Sequence, residues 1–177
     1  MAGSAATPRR MFTQASAAIS SALTAQLDVV IEIPRWSFVK RGASGQVDFV
    51  SPFPCPFNYG SVREFIGGDG DFLDAIVLGP RLARDTRVRV CVHGAVGLSD
   101  RDMYDDKLVC SLQPLRWWER RFVLLCMRFY GCAKRLLNLY RRRPGRTVSE
   151  GWQDAQDAIK RARWCGHAAS VHPAAPF

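Results

Sequence analysis

The sequence predicts an α+β domain in which a small antiparallel β-barrel is followed by two C-terminal helices. Short β-branched or alternating runs occupy the chain up to Pro114, and closely spaced runs of this kind are typical of small barrels. After Pro114 the apolar residues recur with the spacing of an amphipathic helix. At 177 residues the chain is long enough for one domain with a buried core.

The first predicted strand covers residues 28–33, a β-branched run that ends at Pro34. Residues 51–57 contain three prolines, which predicts an irregular loop because proline cannot donate a ladder hydrogen bond. Further short strands are expected at 46–50, 75–78, 87–93, 95–98 and 108–111.

Two helices are predicted near the C-terminus. Phe122, Leu125, Phe129 and Leu136 indicate an amphipathic helix over residues 117–139. The T-x-x-E sequence at 147–150 has capping-box spacing and predicts a last helix that ends near residue 163. We therefore expect an N-terminal arm over residues 1–27, a domain over 28–165 and a disordered tail over 166–177.

The composition limits the possible partners without choosing among them. A net charge of +9 favours a polyanion, which includes nucleic acid, an anionic membrane and phosphorylated small molecules. No apolar stretch approaches the roughly 20 residues of a membrane-spanning helix. The six cysteines lack C-x-x-C or zinc-finger spacing, so we expect reduced thiols in the cytoplasm.

Seven of the 16 acidic residues lie in two short segments, each directly before an apolar strand. Such crowded carboxylates are tolerated on a solvated surface, which is the common case, or around a cation. Glu32 is the one charged residue within the run 29–33. Because Mg²⁺ binds carboxylates together with substrate phosphates, the pattern favours a magnesium–phosphate site. The clustered acids are Asp69, Asp71, Asp74, Asp100, Asp102, Asp105 and Asp106.

Five motifs occur in order along the chain: I-E-I-P at 31–34, N-Y-G at 58–60, D-G-D-x-x-D at 69–74, D-x4-D-x-K at 100–107 and E-G-W at 150–152. With these motifs the chain resembles the soluble, magnesium-dependent inorganic pyrophosphatases, from about residue 28 to residue 163. The resemblance implies a closed, OB-like barrel. It also implies hydrolysis of pyrophosphate to two phosphates.

The resemblance also implies roles for individual residues. Asp71 would accept a proton from the nucleophilic water with help from Tyr59, while phosphate-binding lysines would clamp the substrate. Several Mg²⁺ ions would be bound, one of them by Asp100 and Asp105 on arrival of pyrophosphate. The implied metal ligands are Glu32, Asp69, Asp74, Asp100 and Asp105, and the implied substrate-binding residues are Lys40, Lys107 and Lys134.

The implied partner is pyrophosphate, with neither nucleic acid nor a membrane bound, in a cytoplasmic homo-oligomer. Some phosphate-clamping residues of the family are not reproduced, at positions near Gly42, Pro52, Cys55 and Ala133. Two other functions therefore stay open. One is a pyrophosphatase-like protein that binds metal or phosphate without turnover, and the other is a basic nucleic-acid-binding barrel.

Overall fold

The computed structural model describes residues 26–41, 47–100, 103–140, 142, 146 and 148–165. Most of the predicted N-terminal arm, the predicted tail and most of the arginine-rich segment 141–146 lie outside these residues. The predicted arm extends too far at its C-terminal end, because Gln26 and Leu27 belong to the first strand and Leu27 is buried.

Ten strands and two helices are present in the described residues, and both helices follow the main body of the sheet. In chain order the strands are β1 Gln26–Ile33, β2 Val39–Arg41, β3 Val47–Val50, β4 Asn58–Ile66, β5 Phe72–Leu78, β6 Arg87–Asp100, β7 Met103–Tyr104, β8 Lys107–Ser111, β9 Val148–Gln153 and β10 Arg163–Trp164. The helices are α1 Trp117–Tyr140 and α2 Ala155–Arg161.

Five strands close into a barrel in the order β1-β4-β5-β8-β6, and the β1–β6 pairing completes the circle. The prediction of a closed barrel with two C-terminal helices is confirmed. The barrel is mixed rather than wholly antiparallel, because β5 and β8 run parallel. A parallel pair requires a long crossover connection, and the 14-residue strand β6 lies within that connection.

The barrel has an apolar layer on both of its surfaces. Inside, Leu73, Ala75 and Val77 of β5 belong to the main core, whereas Ile76 faces the opposite side and joins a second core. Val123 and Met127 of α1 cover that second core from outside. Because successive strand residues point to opposite faces, β5 needs apolar residues at nearly every position.

The predicted helix over residues 117–139 is confirmed as α1. The prediction of a helix from Thr147 to residue 163 is wrong in its first half, because Val148–Gln153 forms β9 and pairs with β6. The last helix begins only after Asp154, whose carboxylate accepts a hydrogen bond from the Gln156 backbone N–H. Tertiary pairing therefore outweighs the local capping pattern.

Two further strand predictions needed correction. The sequence analysis missed β4, whose polar and glycine residues obscure the alternation although it pairs with both β1 and β5. The predicted strands at 87–93 and 95–98 are one strand, because β6 continues through Gly94 with a register shift opposite β8. Residues 51–57 form an irregular loop, as predicted.

Gly60 of β4 lies directly against the backbone of β1. A Cβ atom at this position would lie 2.1 Å from the Val30 carbonyl oxygen. Because the obstacle is backbone, we expect Gly60→Ala to lower the free energy of unfolding by about 1–3 kcal/mol in urea denaturation. Gly131→Ala in α1 is the matched control: its nearest neighbour is 3.5 Å away, and alanine favours helix. Equal stability of the two variants would contradict this explanation.

Arg161 of α2 connects that helix to the barrel. Its Nε donates a hydrogen bond of 2.8 Å to Oδ2 of Asp106, which is buried. Without the guanidinium the buried carboxylate loses its partner, so Arg161→Met should lower the free energy of unfolding by about 2 kcal/mol. Lys160→Met breaks the exposed ion pair with Asp157 and should change the free energy of unfolding little. Comparable urea midpoints for both variants would exclude a stabilising role for the Arg161–Asp106 pair.

Candidate active site

A row of polar side chains crosses the outer face of the barrel. Ser61 of β4, Asp74 of β5 and Lys107 of β8 are in register across three adjacent strands. Strand alternation places them on the same side as Ile76 and Val109, which pack beneath α1. The polar row therefore lies at one end of the interface between the barrel and α1.

Lys107 is the most buried charged residue of this row, with a relative exposure of 2%. Its Nζ donates hydrogen bonds to Oδ2 of Asp74 at 2.6 Å and to Oδ1 of Asp105 at 2.8 Å. Burial alone would lower the pKa of Lys107, but the Asp74 carboxylate in particular raises it well above its ordinary value. The ammonium group therefore stays charged and holds two carboxylates together.

Asp105 brings α1 into the site. Its backbone N–H donates to the Leu98 carbonyl oxygen, which fixes the connection between β7 and β8. Oδ2 accepts a hydrogen bond of 3.4 Å from Nζ of Lys134 on α1. Burial would raise the pKa of Asp105, but Lys107 and Lys134 together keep it below its ordinary value. Asp105 is therefore a carboxylate shared by two ammonium groups.

Tyr59 completes the buried part of the site. Its hydroxyl donates a hydrogen bond to Oδ2 of Asp74, and the Lys107 ammonium lies 5.5 Å from the centre of its ring. Burial, followed by the negative charge of Asp74, raises the pKa of Tyr59 well above its ordinary value. The phenol thus remains protonated and acts as a donor.

Glu32 adjoins the site through one intermediate residue. The Ser61 hydroxyl donates a hydrogen bond of 2.6 Å to Oε1 of Glu32, across the β1–β4 pair. Ser61 is itself the register partner of Asp74. Glu32 therefore lies at the edge of the acidic group, one strand away from its centre.

Asp69 and Asp71 lie in the turn between β4 and β5. Gly70 has a φ of 93°, a left-handed conformation that favours glycine, and the Asp71 backbone N–H donates to Oδ1 of Asp69. Asp69 is exposed as a residue, yet desolvation of its carboxyl group is the largest cause of a pKa raised to about 6. The charges of Asp105 and Asp74 raise this pKa further, so the turn brings Asp69 towards the buried acids.

Of the ten predicted site residues, the structure brings six together, and two more lie next to them. The six are Tyr59, Asp69, Asp74, Asp105, Lys107 and Lys134, and the adjoining two are Glu32 and Asp71. The side chains of the other two, Lys40 of β2 and Asp100 at the end of β6, lie outside the described residues.

Tyr130 is a site residue that the sequence analysis missed. Nζ of Lys134 lies 5.7 Å from the centre of its ring, and the two are four residues apart on α1. This spacing places side chains on one helix face, so it could have identified the pair. Ala133, next to Lys134 in the chain, is exposed. Ser61 was also missed, because β4 was not predicted as a strand.

The residue types suit a hard divalent cation, since Asp69, Asp74 and Asp105 offer carboxylate oxygens. Among the described residues, however, no three histidine, cysteine or acidic side chains are arranged as a metal site. Ammonium groups from Lys107 and Lys134 neutralise Asp74 and Asp105 instead. Desolvation, and after it the negative charges of Asp105 and Asp74, raise the pKa of Asp69, and a bound cation would offset the repulsion among these carboxylates.

Comparison with known proteins places this arrangement in a family. The sequence profile of the inorganic pyrophosphatase family matches residues 29–119. The inorganic pyrophosphatase of Neisseria meningitidis serogroup A is 30% identical over 147 residues, which cover 76% of this chain and 83% of the relative. That of Haemophilus influenzae is 30% identical over 145 residues, covering 75% and 82%.

Solved structures agree with the sequence comparison. An inorganic pyrophosphatase from Neisseria gonorrhoeae superposes with a TM-score of 0.60 at 26% identity, covering 76% of this chain and 86% of its own. The inorganic pyrophosphatase from Thermus thermophilus has the same fold, with a TM-score of 0.61 at 22% identity and coverage of 77% and 86%. By its family profile, its relatives and its barrel, this chain belongs to the inorganic pyrophosphatase family.

Proposed function

We propose that this chain hydrolyses inorganic pyrophosphate to two phosphates at the site on the outer face of the barrel. The observation that carries the proposal is the convergence of Asp69, Asp74 and Asp105 with Lys107 and Lys134. Acids suited to metal ions and ammonium groups suited to phosphate oxygens are the two requirements of this reaction. The pyrophosphatase names of its relatives support the same substrate.

Members of this family are generally metal-dependent, and we propose Mg²⁺, several ions per site. Asp69, Asp74 and Asp105 would hold the first ion, and Asp100 would join Asp105 for an ion that accompanies pyrophosphate. Glu32 would stand at the edge of this set. When bound, Mg²⁺ lowers the pKa of a coordinated water and neutralises the phosphate oxygens.

The side chains of this chain would carry the remaining steps. Asp71 accepts a proton from the attacking water, and the protonated Tyr59 hydroxyl keeps the neighbouring Asp74 oriented. Lys107 and Lys134, with Lys40, donate hydrogen bonds to phosphate oxygens and stabilise the charge that develops on the leaving phosphate. Substrate binding would thus transfer ammonium contacts from carboxylates to phosphate.

A second candidate function is metal or phosphate binding without turnover. The observation that favours it is that Lys107 forms ion pairs with Asp74 and Asp105, the two acids that would have to coordinate the metal. Some phosphate-clamping residues that the resemblance implies are also not reproduced, at positions near Cys55 and Ala133. This candidate shares the metal ligands, so only a measurement of turnover separates it from the enzyme.

The proposal also includes the setting of the enzyme. All six cysteines are free, which supports a reducing, cytoplasmic compartment. Neither described helix is both long and apolar enough to cross a membrane. We further propose a homo-oligomer that binds pyrophosphate, without nucleic acid or a membrane as partner.

Replacing Asp71 tests the reaction directly. Asp71→Asn removes the proton acceptor while keeping the shape of the side chain, so phosphate release from pyrophosphate with Mg²⁺ should fall about 100-fold or more. Asp85→Asn is the matched control, because Asp85 is an exposed loop residue with positive φ that asparagine also tolerates. Its phosphate release should equal that of the wild type.

The outcomes separate the two candidate functions. If the wild-type protein releases no phosphate with Mg²⁺, Mn²⁺ or Co²⁺, the hydrolase proposal is wrong. The candidate function that remains is then metal or phosphate binding without turnover. Full activity in Asp71→Asn would keep the hydrolase and remove Asp71 from its mechanism. Matching thermal unfolding curves for the two variants would show that a loss of activity is not a loss of fold.

Metal binding has a readout that needs no turnover. Mg²⁺ at about 100 times its dissociation constant should stabilise the folded protein by about 2.7 kcal/mol and raise the Tm by several degrees. Asp69→Asn should lose most of this increment, because it removes one proposed ligand at an exposed turn. Asp157→Asn, on the exposed surface of α2, should keep it. Equal increments in both variants would place the ion elsewhere.

A further inference from the structure

A cleft of about 650 Å³ opens where the start of α1 meets β6 and β9, and we name it the arginine cleft. Its volume lies within the range of pockets that hold small organic ligands. Two leucines complete a lining whose polar and aromatic members come from three separate segments of the chain. These members are His93, Arg116, Trp117, Arg120, Arg121 and Trp152.

The arginine cleft is separate from the candidate active site. Trp117 and Lys134 are 17 residues apart on α1, which corresponds to about 26 Å along the helix axis. Of the predicted site residues whose side chains the structure describes, none lines the cleft. Trp152 belongs to the E-G-W motif at 150–152, which has no role in the proposed reaction. A ligand in the cleft would therefore be additional to pyrophosphate.

The arginine side chains give the cleft a positive charge. Within the part of the chain that the structure describes, no carboxylate forms an ion pair with Arg116, Arg120 or Arg121. Glu119 is close in sequence, but its Oε2 accepts a hydrogen bond of 2.8 Å from the Arg116 backbone N–H, as in a capping box. Arg116 and Arg120 also have the four-residue spacing at which like charges repel on a helix. An anion in the cleft would offset this repulsion.

Two tryptophans supply flat apolar surface beside these charges. The Trp152 indole packs against Gly94 so closely that a Cβ atom on the glycine would lie 2.4 Å from the ring. The Arg120 guanidinium lies 4.6 Å from the centre of that ring. At the mouth of the cleft, Trp117 is 71% exposed, and the Arg121 guanidinium lies 5.2 Å from the centre of its ring. Each indole is thus paired with a cationic group.

We propose that the arginine cleft binds a small aromatic anion, meaning a planar ring that carries phosphate or carboxylate groups. Guanidinium groups bind both kinds of anion through paired hydrogen bonds, and they do so while stacked on an aromatic ring. Indole rings favour a flat partner and tolerate different rings. Because the charged groups of the lining are all cations, the cleft attracts anions and repels metal ions. This inference does not depend on the proposed hydrolysis.

The first experiment separates the contribution of the ring from that of the charge. Isothermal titration calorimetry on the full chain without added Mg²⁺ should show saturable binding of adenosine diphosphate, which has a ring and phosphates. Phthalate, a benzene ring with two carboxylates, tests the carboxylate form of the same ligand. Adenosine has the ring alone and sulfate has the charge alone, so each should bind at least about 10-fold more weakly than the better of the two aromatic anions.

The second experiment locates the binding. Arg120→Gln should weaken binding of the better aromatic anion at least about 10-fold, because it removes a charged donor from the cleft. Trp117→Leu should remove most of the advantage of that anion over sulfate, because it removes a ring. Arg128→Gln removes the same charge from an exposed position of α1 outside the cleft, so it is the matched control and should bind like the wild type.

The outcomes decide the proposal. Adenosine diphosphate binding that depends on Arg120 assigns the cleft to phosphates, and phthalate binding that does so assigns it to carboxylates. If neither anion binds, or if adenosine or sulfate binds as tightly as they do, the proposal is wrong. It is also wrong if Arg120→Gln binds as tightly as Arg128→Gln. All three substituted residues are exposed, so matching thermal unfolding curves should show that the fold is kept.

Discussion

The buried ammonium group of Lys107 is the contact on which the candidate site depends. It lies at the start of β8, beside its parallel neighbour β5, and it donates to Asp74 and Asp105 at once. Removing charges from water is costly, and a buried charge persists when it is paired and hydrogen-bonded. Here the two carboxylates raise the pKa of Lys107 while Lys107 and Lys134 lower that of Asp105. The charged side chains that would bind metal and phosphate thus stabilise one another in the free protein.

This arrangement is possible because the barrel is covered on both faces. Inward residues such as Leu73 and Val77 fill the main core, while outward residues alternate with them along the same strands. Beneath the first half of α1 the outward residues are apolar, as Ile76 and Val109 are. Towards one end they become Asp74 and Lys107. The outward-facing residues of the same strands therefore form a rigid hydrophobic support and, directly beside it, a polar site.

The helix α1 connects the barrel to the candidate site. Val123 and Met127 pack on the barrel, and Lys134 reaches Asp105 about two helical turns after Met127 on the same side. The packing of α1 on the barrel therefore sets the position of the Lys134 ammonium group relative to Asp105.

The sequence by itself determined the family, the barrel, the helix over residues 117–139 and the residue types of the site. Motif spacing and local periodicity depend on neighbouring residues, so they can be read from the chain. Tertiary structure alone decided that β5 and β8 are parallel, that residues 148–153 pair with β6 as a strand, and that β4 lies between β1 and β5. It also decided that Ser61 bridges to Glu32 and that Lys107 bonds two acids. These features depend on contacts between distant segments, and the free energy of such contacts outweighs local propensity.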